Sequence, residues 1–213
     1  MSKNDTPVVF IVEDDEAVRD SLQMLLGSVG YTVAAFPSAT EFLTAYDTSL
    51  AGCLVLDIRM PGMNGMELQR KLNEMNSILP IIFVTGHGDV PLAVEAMQQG
   101  AFDFVQKPYR EQELLEKIEK AMAQDRENRA TLQQRQVILD RLATLTPREQ
   151  DVLNLMVEGR ANKVIAIDLD ISQRTVEIHR ARVMDKLGAK SLAHLVRMVM
   201  AARGTDSFEA DPG

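Results

Sequence analysis

Three carboxylates stand where apolar runs of the sequence end. Residues 54–65 read LVLDIRMPGMNG, so Asp57 closes an apolar run and is soon followed by the chain breakers Pro and Gly. The run VVFIV at 8–12 leads into Glu13 and Asp14 in the same way. Acids that meet at one place repel one another unless a cation neutralises them, and an all-oxygen cluster suits a hard divalent ion such as Mg²⁺. The acids therefore predict a magnesium site that includes Asp57.

A hydroxyl and an ammonium group complete this predicted site. The run PIIFV at 80–84 is followed by Thr85, and the run FDFV at 102–105 is followed by Lys107. A threonine hydroxyl and a lysine ammonium are both good partners for a phosphoryl oxygen. These residue types predict a site that holds a phosphoryl group on Asp57. A structural ion pair between Asp57 and Lys107 is the alternative, but such a pair gains little net stability when buried and needs no further acids.

These side chains can meet only if the apolar runs are neighbouring strands of one sheet. The runs alternate with amphipathic stretches of helical periodicity. The strand candidates are 8–12, 32–36, 53–56, 80–84 and 102–105, and the helix candidates are 16–29, 38–47, 64–75, 90–99 and 111–123. Five such units predict an α/β fold with a doubly wound, five-stranded parallel sheet. Ligands of such sheets bind outside the carboxyl ends of the strands.

The composition of the chain excludes several classes of protein. Apolar residues make up 46% and charged residues 25% of the 213 residues, which is ordinary for a globular protein with room for two modest domains. No apolar run approaches the roughly 20 residues that cross a bilayer, and the start MSKNDTP does not resemble a secretory signal. The lone Cys53 is expected to be a buried apolar residue. We expect a cytoplasmic protein with no membrane partner.

The charge differs between the two halves of the chain. Residues 1–124 carry 18 Asp and Glu against 9 Lys and Arg, whereas residues 146–204 carry 7 against 10. This asymmetry indicates two units with different partners. We predict an α/β domain at 1–124, a helical linker at 125–144, a small all-α domain at 145–203 and a flexible acidic tail at 204–213.

The second unit has the pattern of a helix-turn-helix. Thr146, Pro147 and Glu149 supply an N-cap, a first-turn proline and a capping-box acid, which predict the start of a helix. Two more helices are predicted at 162–169 and 173–187, joined by a tight turn. The second of them is rich in Lys and Arg, as expected for contact with a phosphate backbone. Exposed arginines on a helix are usually only solvated. Their position within a helix-turn-helix instead favours a four-helix domain that binds DNA.

Residues 8–123 resemble the receiver domain of bacterial two-component response regulators, whose fold is the five-stranded sheet predicted above. The resemblance rests on VEDD at 12–15, LDIRMPGMNG at 56–65, VTGHGD at 84–89 and FDFVQKPY at 102–109. Each motif is weak alone, but four at consecutive strand ends are specific. The resemblance implies that a sensor histidine kinase transfers phosphate to Asp57.

The resemblance also implies the ligands of the metal. Asp14, Asp57 and the main-chain carbonyl of Arg59 are expected to hold Mg²⁺, with Glu13 acting through water. Asp15 is expected to cap the following helix.

A switch is implied as well. Thr85 is expected to move toward the phosphoryl oxygens, Lys107 to pair with them and Phe104 to change rotamer. Phe104 could instead be only a core residue. The surface expected to dimerise on phosphorylation surrounds Val90, Val94 and Gln98.

Residues 145–203 resemble the four-helix DNA-binding domain of LuxR-type regulators, through LTPREQDVL, NKVIAIDLDIS and RTVEIHRARVMDKLGAKS. The whole chain thus resembles a response regulator of the NarL and FixJ type, and most of all the FixJ type. By position, helix 173–187 is expected in the major groove, with Glu177, Ile178 and Ala181 at base edges. Residues expected at phosphates are Asn162, Lys163, Thr175, Arg182 and Lys186. Residues expected to pair two domains across a dyad are Leu192, Leu195, Val196 and Val199.

Together these features predict a transcription factor and not an enzyme. Its partners would be a sensor kinase, promoter DNA, RNA polymerase and a second copy. One alternative is a receiver that works without phosphate. Another is an aspartyl-phosphate phosphatase, which commonly needs an acid two residues after the nucleophile, where this chain has Arg59. A third is a protein-binding role for 146–203, which specific retention on promoter DNA would exclude.

Overall fold

A computed structural model describes residues 6–86 and 90–204, and for Val90 only the backbone. The chain divides into two compact units with the boundary between Arg129 and Ala130. Among the described residues, no helix combines the length and the apolar character that a membrane span requires.

The first unit is built on one parallel sheet. Its strands are β1 (Val8–Val12), β2 (Thr32–Phe36), β3 (Gly52–Asp57), β4 (Ile81–Thr85) and β5 (Asp103–Gln106). Their order is β2-β1-β3-β4-β5, with every neighbouring pair parallel. The strand order reverses between β1 and β3, so a crevice is expected outside the carboxyl ends of these two strands.

Helices cover both faces of the sheet because its central strands are apolar on both sides. The helices are α1 (Glu16–Ser28), α2 (Ala39–Ala45), α3 (Gly65–Glu74), α4 (Val90–Gln98) and α5 (Glu111–Ala143). Phe10 and Val12 of β1 pack with residues of α2, α3 and α4, whereas Val9 and Ile11 pack with residues of α1 and α5. Alternate side chains of a strand point to opposite faces, so one strand contributes to two cores. The predicted fold class is confirmed.

The second unit is helical. It contains the last part of α5, followed by α6 (Pro147–Val157), α7 (Asn162–Asp168), α8 (Gln173–Leu187) and α9 (Leu192–Arg203). The predicted capping box is present at α6, where the Thr146 side chain accepts from the Glu149 N–H and the Glu149 side chain accepts from the Thr146 N–H. One apolar cluster joins α6, α7, α8 and α9.

Helix α5 runs without a break through the segment predicted as a linker. It contains neither Gly nor Pro, so nothing in its sequence ends it. Asp125, which is buried, accepts a hydrogen bond of 2.9 Å from the Gly52 N–H at the start of β3. Arg129 donates to Asp125 and to main-chain carbonyls of residues 48–50. The first residues of the predicted linker therefore pack on the first unit. The predicted tail lies, from residue 205 onward, outside the described residues.

One prediction for the second unit is wrong in part. Leu195 and Val199 were expected at a surface between two copies, but both are fully buried in the apolar cluster of their own unit. A side chain without exposed surface cannot contact a second copy. Helical spacing identified an apolar face of α9, but spacing cannot say which of its residues face the core. Leu192 is exposed and Val196 is half-buried, so these two remain predictions.

Candidate phosphoacceptor site and nucleic-acid interface

The carboxyl ends of β1 and β3 bring three acids together. Asp57 is the last residue of β3, and Glu13 and Asp14 follow β1 directly. One carboxylate oxygen of each lies within 4.8 Å of the others. Asp15 points elsewhere, because its side chain accepts from the N–H groups of Ala17 and Val18 and caps α1. The sheet thus assembles the acids that the sequence placed at separate strand ends.

Lys107 lies between two of these acids. Its Nζ donates to Oε2 of Glu13 at 2.9 Å and to Oδ2 of Asp57 at 3.0 Å. The other oxygen of Asp57, Oδ1, accepts from the Arg59 N–H at 3.2 Å. Both oxygens of Asp57 therefore have donors, which holds the carboxylate in one orientation.

Burial and charge shift the acidities of the site. Glu13 is only 2% exposed, and this burial raises its pKa, with Asp57 adding to the rise and Lys107 opposing it. Burial alone would lower the pKa of Lys107, but its bonds to Glu13 and Asp57 and their negative charges raise it overall. The ammonium is therefore kept charged. The crevice therefore holds the carboxylates of Glu13, Asp14 and Asp57 close to the Lys107 ammonium.

The acids fit a divalent cation by their chemistry. All three donor groups are carboxylates, the ligand type that Mg²⁺ takes in ones and twos while keeping several waters. Asp14 is exposed and Asp57 partly so, which leaves open sides for water or a phosphoryl group. The Arg59 N–H donates to Asp57, and the role of the Arg59 carbonyl as a metal ligand stays a prediction.

The two predicted switch residues lie on the neighbouring strands. Thr85 ends β4 and is 1% exposed, and its hydroxyl donates to the Val105 carbonyl at 3.5 Å, which is the long limit for a hydrogen bond. Phe104 of β5 is half-buried, with Nζ of Lys117 6.0 Å from its ring centre. Lys117 also pairs with Asp103 at 2.7 Å. The hydrogen bond of the Thr85 hydroxyl to the Val105 carbonyl is therefore weak.

The predicted dimerisation surface is partly described. Val94 is 49% exposed and Gln98 is exposed, both on α4. The side chain of Val90 lies outside the described residues, as do His87, Gly88 and Asp89 before it.

Helices α7 and α8 form the predicted helix-turn-helix. The turn between them contains Asp170 in the left-handed conformation, with φ of 52°. Val176 and Val183 of α8 are buried, whereas the opposite face is exposed and carries Glu177, Ile178, Ala181 and Arg182. Ile178 is 46% exposed, although an apolar side chain normally avoids water. The structure places the predicted base-reading residues together on one accessible face.

The residues predicted to contact phosphates differ in their exposure and in their partners within the protein. Lys163 is exposed in the first turn of α7, with Asn162 half-buried beside it. The Thr175 hydroxyl bonds that of Ser172 at 2.7 Å. Lys186 has partners within the protein, since its Nζ donates to Oε2 of Glu149 at 2.6 Å and to the Thr144 carbonyl at 3.0 Å.

Sequence reasoning missed two contributors to these sites. Glu149 was expected only as a capping acid, but it is buried and also pairs with Lys186; a partner 37 residues away leaves no local signal. Gly65 was expected only as a chain breaker after Asp57, yet a Cβ there would lie 2.4 Å from the Asp57 carbonyl. Only glycine lets α3 begin so close to the phosphoacceptor candidate. Its place in the first turn of a predicted helix, as the last residue of the motif that contains Asp57, was the available signal.

Comparison with known proteins agrees with this arrangement. Residues 9–119 match the family described as response regulator receiver domain, and residues 143–199 match bacterial regulatory proteins of the luxR family. The transcriptional regulatory protein FixJ of Rhizobium meliloti is 49% identical over 193 residues, covering 91% of this chain and 95% of that protein. FixJ of Bradyrhizobium diazoefficiens is 45% identical over 194 residues, with the same coverage. The solved structure of the response regulator StyR shares 44% identity and a TM-score of 0.81, covering 91% of this chain and 98% of its own.

Proposed function

We propose that Asp57 switches the activity of this chain, which belongs to the response-regulator family and joins a receiver domain to a luxR-type DNA-binding domain. In this proposal a sensor histidine kinase donates the phosphoryl group. The observation that carries the proposal is the position of Lys107, whose ammonium lies 3.0 Å from Oδ2 of Asp57 and 2.9 Å from Glu13. The chain acts as a regulator rather than as a phosphatase, since Arg59 stands where the phosphatase would need its acid.

The chemistry follows from the groups around Asp57. A carboxylate oxygen attacks the phosphorus of a phosphohistidine, the P–N bond breaks, and the imidazole leaves with the bonding electron pair. Lys107, already hydrogen-bonded to Oδ2, pairs with a phosphoryl oxygen in the product. Mg²⁺, when held by Asp14, Asp57 and the Arg59 carbonyl with Glu13 acting through water, would neutralise part of the charge on the acids and the phosphate.

Thr85 and Phe104 link phosphorylation of Asp57 to a change in the surface of α4. The Thr85 hydroxyl leaves the Val105 carbonyl, its weak partner at 3.5 Å, and donates to a phosphoryl oxygen. Phe104 then changes rotamer in the space that the threonine leaves. The surface of α4 around Val90, Val94 and Gln98 becomes able to pair with a second copy, since Val94 exposes apolar area there.

Two paired chains present two copies of α8 to DNA. In each copy α8 enters the major groove and reads base edges with Glu177, Ile178 and Ala181. The phosphates are held by Arg182, Thr175, Asn162 and Lys163. Pairing of the two DNA-binding units involves Leu192 and Val196. Lys186 would first have to leave Glu149. Such a regulator works in the cytoplasm, where promoter DNA and RNA polymerase are its partners.

Selection of bound duplexes from a random pool tests the proposal. Wild-type chain incubated with Mg²⁺ and an acyl-phosphate donor should enrich one sequence family with paired half-sites, and enrichment should be weaker without the donor. The variant Asp57→Asn should give the weaker result in both conditions. Enrichment that is equal with and without the donor would favour a receiver that works without phosphate. No enrichment at all would favour a protein-binding role for the second unit.

A further inference from the structure

The last turn of α8 is held by an arginine of α5. Nη1 of Arg141 donates to the carbonyl of Leu187, the final residue of α8, at 2.9 Å. The C-terminal end of a helix carries unpaired carbonyls and a partial negative charge, so a guanidinium there both donates a hydrogen bond and neutralises charge. Arg141 and α8 belong to the same compact unit.

The glycine that follows α8 fits this contact. Gly188 has φ of 67°, and its N–H bonds carbonyls of the preceding turn. A Cβ at Gly188 would lie 3.0 Å from Nη1 of Arg141. Glycine therefore serves twice, since it adopts the left-handed conformation without strain and leaves room for the guanidinium.

A second cation also anchors this turn. Lys186 of α8 bonds Glu149 and the Thr144 carbonyl around the start of α6. The exposed residues that we propose at base edges lie earlier in α8, between Glu177 and Ala181. The recognition helix is thus fixed at the end that lies away from the bases.

Arg135, six residues earlier in α5, makes the same kind of contact with a different helix. Its Nε donates to the Ala202 carbonyl near the end of α9 at 2.9 Å. Six residues of helix span about 9 Å, so the two arginines reach two separate helix ends. Residues 130–143 of α5 are therefore an integral part of the DNA-binding unit.

We infer that Arg141 is a positioning residue for DNA reading, which acts by fixing the direction of α8. The inference rests on the proposed function of α8. Ten residues separate Leu187 from Glu177, or about 15 Å of helix, so a tilt of about 4° at the held end moves Glu177 by about 1 Å. A base-edge hydrogen bond does not survive a shift of that size. Arg141 itself touches no base and no phosphate.

The test compares matched arginine variants of the full chain. The probe is the duplex that wild-type chain enriches from the random pool, together with the same duplex changed at one base pair of each half-site. Arg141→Met should reduce the discrimination between the two duplexes about tenfold, equivalent to about 1.4 kcal/mol, and should leave the dependence of affinity on salt unchanged. Arg135→Met removes an equivalent contact at α9 and should keep the discrimination. Arg141→Lys keeps the charge and should restore most of it.

Each other outcome overturns the inference. A salt slope lowered by about 1 in Arg141→Met would show that the guanidinium contacts a phosphate. A lower melting temperature with unchanged discrimination would show a purely structural role. If Arg141→Met does not fold, Arg141→Gln replaces it, because glutamine also lacks the guanidinium, and discrimination by Arg141→Gln equal to that of wild type would reject the inference. If wild-type chain enriches no sequence, the proposed function fails as well, so the two failures are distinguishable.

Discussion

In the proposed function regulation depends on Asp57, and the chemistry of this residue is directly testable. Asp57→Asn should abolish Mg²⁺-dependent labelling by a small acyl-phosphate donor, because an amide is a poor nucleophile and a weak metal ligand. The matched control is Asp15→Asn, since asparagine caps a helix about as well as aspartate and Asp15 caps α1 outside the site. Labelling is measured as incorporated phosphate that is released by hydroxylamine.

Stoichiometric, hydroxylamine-labile labelling of Asp57→Asn would place the phosphate elsewhere. Loss of labelling in Asp15→Asn as well would point to damage of the fold rather than to loss of the nucleophile.

The exposed face of α8 offers a second test, which separates affinity from sequence reading. Arg182→Ala should weaken binding to all duplexes about equally and lower the salt slope by about 1, as expected for a phosphate contact. Glu177→Ala should relax discrimination at one base pair of each half-site by about 1 to 3 kcal/mol with almost no change of salt slope, because a carboxylate can accept from the cytosine amino group. Titrations of matched and singly substituted duplexes at several salt concentrations measure both.

A uniform rise in affinity for Glu177→Ala would identify Glu177 as a charge repelled by the DNA backbone. In that case the reading face of α8 would have to be rotated away from Glu177.

The pairing of Glu149 with Lys186 predicts a pH dependence of stability. The hydrogen bond from Lys186, with those from Thr146, lowers the pKa of Glu149 from 4.5 to about 2. A carboxyl whose pKa is lower in the folded state stabilises the fold above its unfolded pKa, and this contribution disappears as the pH falls through the folded pKa. The melting temperature of Glu149→Gln should therefore lie below that of wild type at neutral pH, and the difference should shrink between about pH 4.5 and pH 2.

Asp151→Asn is the control for this prediction. Its ion pair with Arg148 is 3.5 Å long and lies at the surface, where such pairs contribute little. A difference for Glu149→Gln that does not change with pH would show that the lost packing, and not the charge, sets the effect.

Among the elements, β3 is tightly constrained at its start. Gly52 has φ of 142°, and a Cβ there would lie 1.8 Å from the Val8 carbonyl of β1. Gly52→Ala should therefore lower the free energy of unfolding by more than about 3 kcal/mol. Gly27→Ala is the opposite case, since Gly27 lies in α1 with nothing within 4 Å of a Cβ, and it should stabilise by about 0.5 to 1 kcal/mol. Urea titrations measure both. A tolerated Gly52→Ala would mean that β1 and β3 can separate at this end.

The helices and strands also show which features of the structure the sequence could predict. The strands β1, β3 and β4 and the acids at the ends of β1 and β3 were predictable, because parallel strands covered on both faces leave continuous apolar runs and the charges stand out where the runs stop. The partner of Lys186 was not predictable, because Glu149 lies in another helix and only packing brings them together. The burial of Leu195 and Val199 was also missed, since an apolar stripe has the same spacing whether it meets a core or a second copy.

At the scale of the whole molecule, phosphorylation should convert the protein from a monomer to a dimer. Val94 exposes 49% of its surface on α4, within the proposed pairing surface. Light scattering should show a shift from one chain to two when Mg²⁺ and an acyl-phosphate donor are added. Val94→Asp should remain a single chain while still being labelled at Asp57, because two carboxylates would be buried against each other. Met24→Asp, at a residue 72% exposed on α1, is the control and should still dimerise.

A dimer that forms equally from Val94→Asp would place the pairing surface away from α4. A Met24→Asp variant that stays monomeric would place the pairing surface on α1.

The bond between Asp125 and Gly52 bears on how the chain can be divided into recombinant fragments. A fragment that ends at residue 124, where the predicted α/β domain ends, loses Asp125 and leaves the buried Gly52 N–H without its acceptor, at a cost of about 1 to 3 kcal/mol. It also loses Arg129, which ties the loop before β3 to the helix. A fragment or a chimeric sensor that joins this receiver to a foreign output domain should therefore keep the chain through Arg129.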